Sequence, residues 1–146
     1  MPATLQQLTE ALLDAALRAG AEAADALAMD GASIGIDLRA GALEKAERAE
    51  GTDIGLRVLI AGRQACVSAS DTSPATILAI AERAVAMARE APEDPYVGLA
   101  SAEQITRAWD LAALDLTDPP PEPSAATPED TARRAEAAAM ASTGIT

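Results

Sequence analysis

The first regular pattern along the chain is helical. Leu5, Leu8, Leu12 and Ala15 or Ala16 recur at three- and four-residue intervals between Thr4 and Ala19, the spacing of one helix face. Thr4 and Gln7 fit a capping box at the start, and Gly20 supplies a C-terminal stop. The period then drops to two. Ile34, Ile36 and Leu38 alternate with Ser33, Gly35, Asp37 and Arg39, as a half-buried strand does. Ile54, Leu56, Val58 and Ile60 alternate again and lead into the short turn Ala61-Gly62. Beyond it Ala65, Val67 and Ala69 share one face, with Gln64, Cys66, Ser68 and Ser70 on the other. Residues 24–30 form a weaker strand candidate.

The segment Ala42 to Glu50 (ALEKAERAE) is ambiguous, with high helix propensity and Glu44 and Arg48 spaced at i, i+4. It lies between the Ala40-Gly41 turn and a clear strand, and a nine-residue isolated helix is marginal. A hairpin partner for residues 33–39 is therefore expected. Ser73-Pro74 reads as an N-cap followed by proline at the first helical position. Ile77, Ile80, Ala81, Ala84 and Ala88 mark the buried stripe of a helix running to about Glu90. Residues 96–118 look irregular, with Tyr96, Leu99, Trp109, Leu111 and Leu114 as expected anchors. Pro119, Pro120, Pro121 and Pro123 make a stiff connector, and Thr127-Pro128 opens a last helix whose apolar positions are nearly all alanine. Such a helix is expected to be mobile, or docked outside the core. The closing Gly144-Ile145-Thr146 resembles the entrance to another strand, which suggests the front end of a longer polypeptide.

Together these elements predict an α+β fold. A largely antiparallel sheet of about four strands is flanked by an N-terminal helix and a second helix, with a C-terminal connector helix beyond. The expected domains are 1–118, a proline-rich linker over 119–129, and a connector helix over 130–146. One core should join Ile34, Ile36, Leu38, Ile54, Leu56, Val58, Ile60 and Val67 to Leu8, Leu12, Ile77, Ile80 and Ala84. Composition changes its character. Of the 49 % hydrophobic residues, 38 are alanine, and there is no phenylalanine, one tryptophan and one tyrosine. Small side chains favour close helix-on-sheet packing over a roomy cavity.

The chain has no histidine and a single cysteine, Cys66. Serine–histidine and cysteine–histidine pairs, HExxH zinc sites and Cys/His clusters cannot be built from it alone. A net charge of −12 repels phosphates and anionic membrane surfaces, so no nucleic-acid or membrane partner is expected. No apolar run spans a bilayer and no signal peptide is evident. With an unpaired cysteine this points to the cytoplasm. Asp53, Arg57, Arg63 and Gln64 cluster around one hairpin and could hold a peptide or carboxylate, against the alternative of a solvated ribbon face. Ser68, Ser70, Asp71 and Ser73 look nucleophile-rich, but with only carboxylates nearby they suit turn and cap duty. Cys66 reads as a small core residue. The glycines form neither GxGxxG nor a Walker loop. No residue is assigned a catalytic, cofactor-binding or metal-ligating role.

Several strings together carry a family resemblance over essentially the whole chain. These are LLDAALRAGAEAADAL, GALEKAERAEGTDIGLRVLIAGRQACVSASD, SPATILAIAERAVAMAR and APEDPYVGLA. They resemble the N-terminal domain of the TldD/PmbA family, whose members have been called modulators of DNA gyrase and are similar to subunits of a TldD–TldE metalloprotease. GLRVLIAGRQ, SDTSP and APEDPY look closer to the PmbA (TldE) branch. The resemblance implies a metal held by a HExxxH helix and a further cysteine in the C-terminal domain of the TldD-type subunit. None of these ligands can be placed on this chain, and the PmbA-type partner is understood to lack the motif.

The expected function is therefore a non-catalytic N-terminal domain of a PmbA/TldE-like subunit. It would contribute to assembly with a TldD-like subunit, or to self-association, and to a chamber admitting unfolded peptide. Zinc is expected only in the TldD-type partner, so no cofactor is assigned to this chain. The alternative is a stand-alone acidic adaptor for a basic protein partner, and a carboxylate-based hydrolase is a third reading.

Overall fold

A computed structural model describes residues 3–106, 108, 110–116, 124 and 126–145. The fold is α+β, with the order α1 (Leu5–Ala19), β1 (Ala23–Arg39), β2 (Ala42–Ile60), β3 (Arg63–Ala69), α2 (Pro74–Glu90), α3 (Leu111–Leu114) and α4 (Ala126–Met140). The sheet is antiparallel with strand order β1-β2-β3, so β1 and β3 are its edges.

The expected count of about four strands is corrected to three among the described residues. Residues 24–30 and 33–39 fuse through Gly31 into the 17-residue β1, and 42–50 runs through Gly51 into the 19-residue β2. Helix propensity over 42–50 loses to the turn before it. Ala40 and Gly41 both take positive φ, 50° and 75°, the pattern of a two-residue hairpin turn. The side chains respond at strand spacing: Lys45 pairs with Glu47 at 2.5 Å and Arg48 with Glu50 at 2.6 Å. Glu44 reaches Arg39 across the turn at 3.7 Å. A second turn of the same kind, Ala61 (φ 48°) and Gly62 (φ 71°), sets the β2–β3 register, in which Ile60 faces Arg63 and Ile54 faces Ala69.

The chain divides into two compact units. The first comprises Met1–Gly31 and Gly51–Thr106, the second Ala32–Glu50 and Arg107–Thr146. In the first, α1 packs on α2 and α2 on β3. Both helices are capped as their sequences specify. Thr4 Oγ1 accepts from the Gln7 N–H at 3.2 Å while the Thr4 N–H donates to Gln7 Oε1 at 2.9 Å. Gly20, at φ 102°, closes α1 in the left-handed conformation that glycine adopts without strain. Ser73 caps α2, with Pro74 in its first turn.

The core lies between this helix pair and the even-numbered residues of β2. Leu8, Leu12, Ile54, Leu56, Val58, Ile77, Ile80 and Val85 supply the bulk, and Ala15, Ala16, Ala81, Ala84 and Ala88 let the backbones approach. Ile60 and Val67 pack at its margin, as do Ala24, Ala26 and Ala28 of β1. Three expected members do not belong. Ile34, Ile36 and Leu38 are half-buried and fall in the second unit, outside the cluster that α1 and α2 close.

In the second unit α4 grips the hairpin tip through backbone. The Gly41 N–H donates to Glu136 Oε2 at 2.9 Å, and the Arg133 guanidinium donates to the Gly41 carbonyl while holding Glu129 at 2.7 Å. No residue of α4 is buried among those described. The expected anchors are also corrected: Tyr96 is 94 % exposed, and Leu99 and Leu114 are exposed. Trp109, the Leu111 side chain and Pro119 to Pro123 lie outside the described residues.

Candidate functional site

Side-chain chemistry collects on the face of the sheet turned away from the helices. Alternation places Asp25, Leu27 and Met29 of β1, Asp53, Arg57 and Leu59 of β2, and Gln64, Cys66 and Ser68 of β3 there. Arg57 is its centre. Its Nε donates to Asp25 Oδ1 and Oδ2 at 3.1 and 3.0 Å, its Nη2 also bonds Asp25, and its Nη1 donates to Gln64 Oε1 at 3.3 Å. The Asp25 hydrogen bonds raise the Arg57 pKa, with partial burial opposing and the Asp25 and Cys66 charges adding. A bidentate guanidinium–carboxylate pair of this kind is a fixed cross-strand strut. It leaves the carboxylate-binding fork of Arg57 already filled.

The sequence grouped Asp53, Arg57, Arg63 and Gln64, and only Arg57 and Gln64 meet. Asp53 accepts from the Ser70 hydroxyl at 2.5 Å. Arg63 turns toward the end of α2, donating to the Arg89 carbonyl at 3.3 Å and to Glu93 at 2.9 Å. That carbonyl lies at a helix C-terminus, where a cation is stabilised. Asp25 was missed as the partner of Arg57, although its odd position between the inward Ala24 and Ala26 was a usable signal.

The serine-rich loop is a helix cap. Asp71 accepts from the Thr76 hydroxyl, the Ser73 N–H at 2.9 Å and the Ser73 hydroxyl at 3.0 Å. These bonds, the Thr76 one foremost, hold its pKa below the ordinary 3.8. Cys66 is not a core residue: it is exposed on the outer face, opposite Arg57 in the β2–β3 register. Strand parity decides this, because Ala65 and Val67 take the inward positions. Gly55 leaves a shallow depression beside it, about 290 Å³, lined by Asp25, Leu27, Arg57, Cys66 and Val67.

A larger groove, about 750 Å³, runs along α1 and past the start of α2, with Leu5, Leu8, Ala11, Ile77 and Leu78 as its apolar lining and Arg18 and Asp30 as its charged residues. Composition argues against so open a space; Ala11 and Ala15 are among the residues that line it. Among the described residues no group of three or more Asp, Glu or Cys side chains is placed to hold a metal ion. No described helix is long and apolar enough to cross a membrane.

Comparison with known proteins gives these elements a context. No curated protein matches the chain. A crystal structure of a proposed modulator of DNA gyrase from Bacteroides thetaiotaomicron VPI-5482 matches with a TM-score of 0.66 at 18% identity. The match covers 97% of this chain, and the chain spans 31% of the length of that structure. At such identity the likeness speaks for the fold. A model of PmbA/TldA metallopeptidase domain 1 matches residues 24–88, from the start of β1 almost to the end of α2. Over those residues the chain is similar to the first domain of the PmbA/TldA metallopeptidase family.

Proposed function

We propose that this chain is a non-catalytic N-terminal domain of a PmbA/TldE-like subunit in a TldD–TldE-type metalloprotease complex. It helps assemble the complex and wall the chamber that receives unfolded peptide. The observation that carries this reading is the family match across β1 to α2. The chemistry of the donor set supports it. There is no histidine, and the one cysteine faces a guanidinium rather than other ligands, so these residues do not fit a zinc site. The polar side chains that looked reactive are engaged in a strut, a strand clasp and a helix cap. A sheet with two open edges can receive an extended peptide by strand addition, which needs backbone groups and no particular sequence. The lone cysteine fits a reducing, cytoplasmic setting.

The test mixes the purified chain with a TldD-type subunit and follows binding by calorimetry, zinc content by metal analysis and cleavage of an unfolded peptide. The chain alone should neither cleave nor hold stoichiometric zinc, and it should bind the TldD-type subunit. Zinc-dependent cleavage by these 146 residues alone would overturn the reading. Binding to basic proteins in general, with none to the TldD-type subunit, would favour the acidic adaptor instead.

A further inference from the structure

Every residue that lines the groove of about 750 Å³ along α1 belongs to the first unit. Leu8 and Ile77 give it a buried floor that is part of the core, while Leu78 stands 52 % exposed at its rim. Its two charged residues, Arg18 and Asp30, are both exposed. Neither has a hydrogen-bond or ion-pair partner among the described residues. The groove is thus apolar in its body and carries one free charge of each sign.

The two charges stand at opposite ends. At a helical rise of about 1.5 Å, the wall from Leu5 to Arg18 is about 20 Å long. The chain reverses after Gly20, and β1 packs back along the core that α1 shares through Ala24, Ala26 and Ala28. From Ala23 to Asp30 it covers about 23 Å, which returns Asp30 level with the start of α1. An occupant that satisfies both charges needs an apolar body of about 20 Å, an anion at the Arg18 end and a cation at the Asp30 end. A compact small molecule reaches one charge and not the other. An extended peptide finds no partners for its backbone, because α1 and α2 bond their own N–H and C=O groups. A helix brings its backbone bonds with it and presents one apolar face.

We infer that the groove docks an amphipathic helix of a partner protein, about four turns long, acidic in its first turn and basic in its last. Acid first and base last is also the order that complements a helix's own dipole. With its acid at Arg18, the partner helix runs antiparallel to α1, and its apolar side chains enter between Leu8, Ala11, Ile77 and Leu78. The α4 helix of a second copy has the length but offers chiefly alanine, and its Glu129 and Arg133 hold each other. An anionic membrane would meet a chain of net charge −12 through a single cation of the groove. The docking is independent of the peptidase reading, since it requires no TldD-type subunit.

A synthetic peptide of about 15 residues tests this, with leucines along one helical face, glutamates in the first turn and lysines in the last. Titrated into the full chain, it should bind by calorimetry and gain helicity by circular dichroism. A second peptide with the glutamate and lysine ends exchanged should bind roughly tenfold more weakly. Leu78→Glu, at the exposed rim, should remove binding and leave the urea midpoint of the chain unchanged. Arg18→Glu with Asp30→Arg should reverse the preference and favour the exchanged peptide. No binding of the first peptide, equal binding of both charge orders, or binding indifferent to Leu78→Glu would overturn the proposal. So would phosphatidylglycerol vesicles that compete with the peptide, since the groove would then be a membrane surface.

Discussion

Replacing Leu12 by alanine is the sharpest probe of the core. Leu12 is 0 % exposed, the largest α1 side chain among those fully enclosed. Truncating a buried leucine to alanine costs about 2–5 kcal/mol, the spread reflecting how far the surroundings collapse into the void. Here they cannot move far. Ala15, Ala16, Ala81, Ala84 and Ala88 belong to the same cluster, and an alanine has no rotamer with which to fill a space. The upper part of the range, about 3–5 kcal/mol, is therefore expected. A domain of ordinary stability has about 5–15 kcal/mol, so this is about a fifth of it or more. With a urea slope of about 2 kcal/mol per molar, the midpoint should fall by roughly 1.5–2.5 M. Leu17→Ala, on the exposed side of the same helix, should change it by less than about 0.5 kcal/mol. A loss below about 1.5 kcal/mol for Leu12→Ala, in urea melts followed by circular dichroism, would refute the argument that an alanine-walled core is unable to relax.

Other outcomes follow from single contacts. A double-mutant cycle of Asp25→Asn and Arg57→Gln should give a coupling of about 0.5–1 kcal/mol that shrinks in 1 M salt, since both side chains are partly exposed. Gly20→Ala should cost about 1–2 kcal/mol in thermal melts through its left-handed backbone; the nearest obstacle to a Cβ is the flexible end of Arg89. Asp71 is lowered in the fold, so its contribution is present above pH 3.8 and lost as pH falls through the lower folded value. Melting curves of wild type and Asp71→Asn should therefore differ at pH 6 and converge toward pH 2.

Period and caps made much of the fold legible. Thr4, Gln7, Gly20 and Ser73-Pro74 marked helix ends through local hydrogen bonds, and those bonds form wherever the backbone allows. The two-residue alternation placed Leu56 and Val58 inward for the same local reason. Strand fusion was not legible, because Gly31 and Gly51 look like breaks and only the neighbouring strand tells them to continue. Cys66 was misjudged by residue type, although its parity with Gln64 and Ser68 already placed it outward. The strut between Asp25 and Arg57 joins residues 32 apart. Nothing in either segment alone indicates that register.

The two Ala-Gly turns limit how this domain can change in length. Each is only two residues long, with both φ positive, and the Ala61 N–H is held by Glu22 Oε2 at 2.9 Å. One inserted residue between Ile60 and Arg63 must either swell the turn, losing its match to the sheet twist, or slip β3 by one step. A slip would turn Ala65, Val67 and Ala69 to water and press Gln64, Cys66 and Ser68 against α2. Insertions, epitope tags and fusion points therefore belong in the exposed stretch 98–106, where every described residue already faces solvent. At the hairpin turns, a single added codon would damage the domain more than most substitutions.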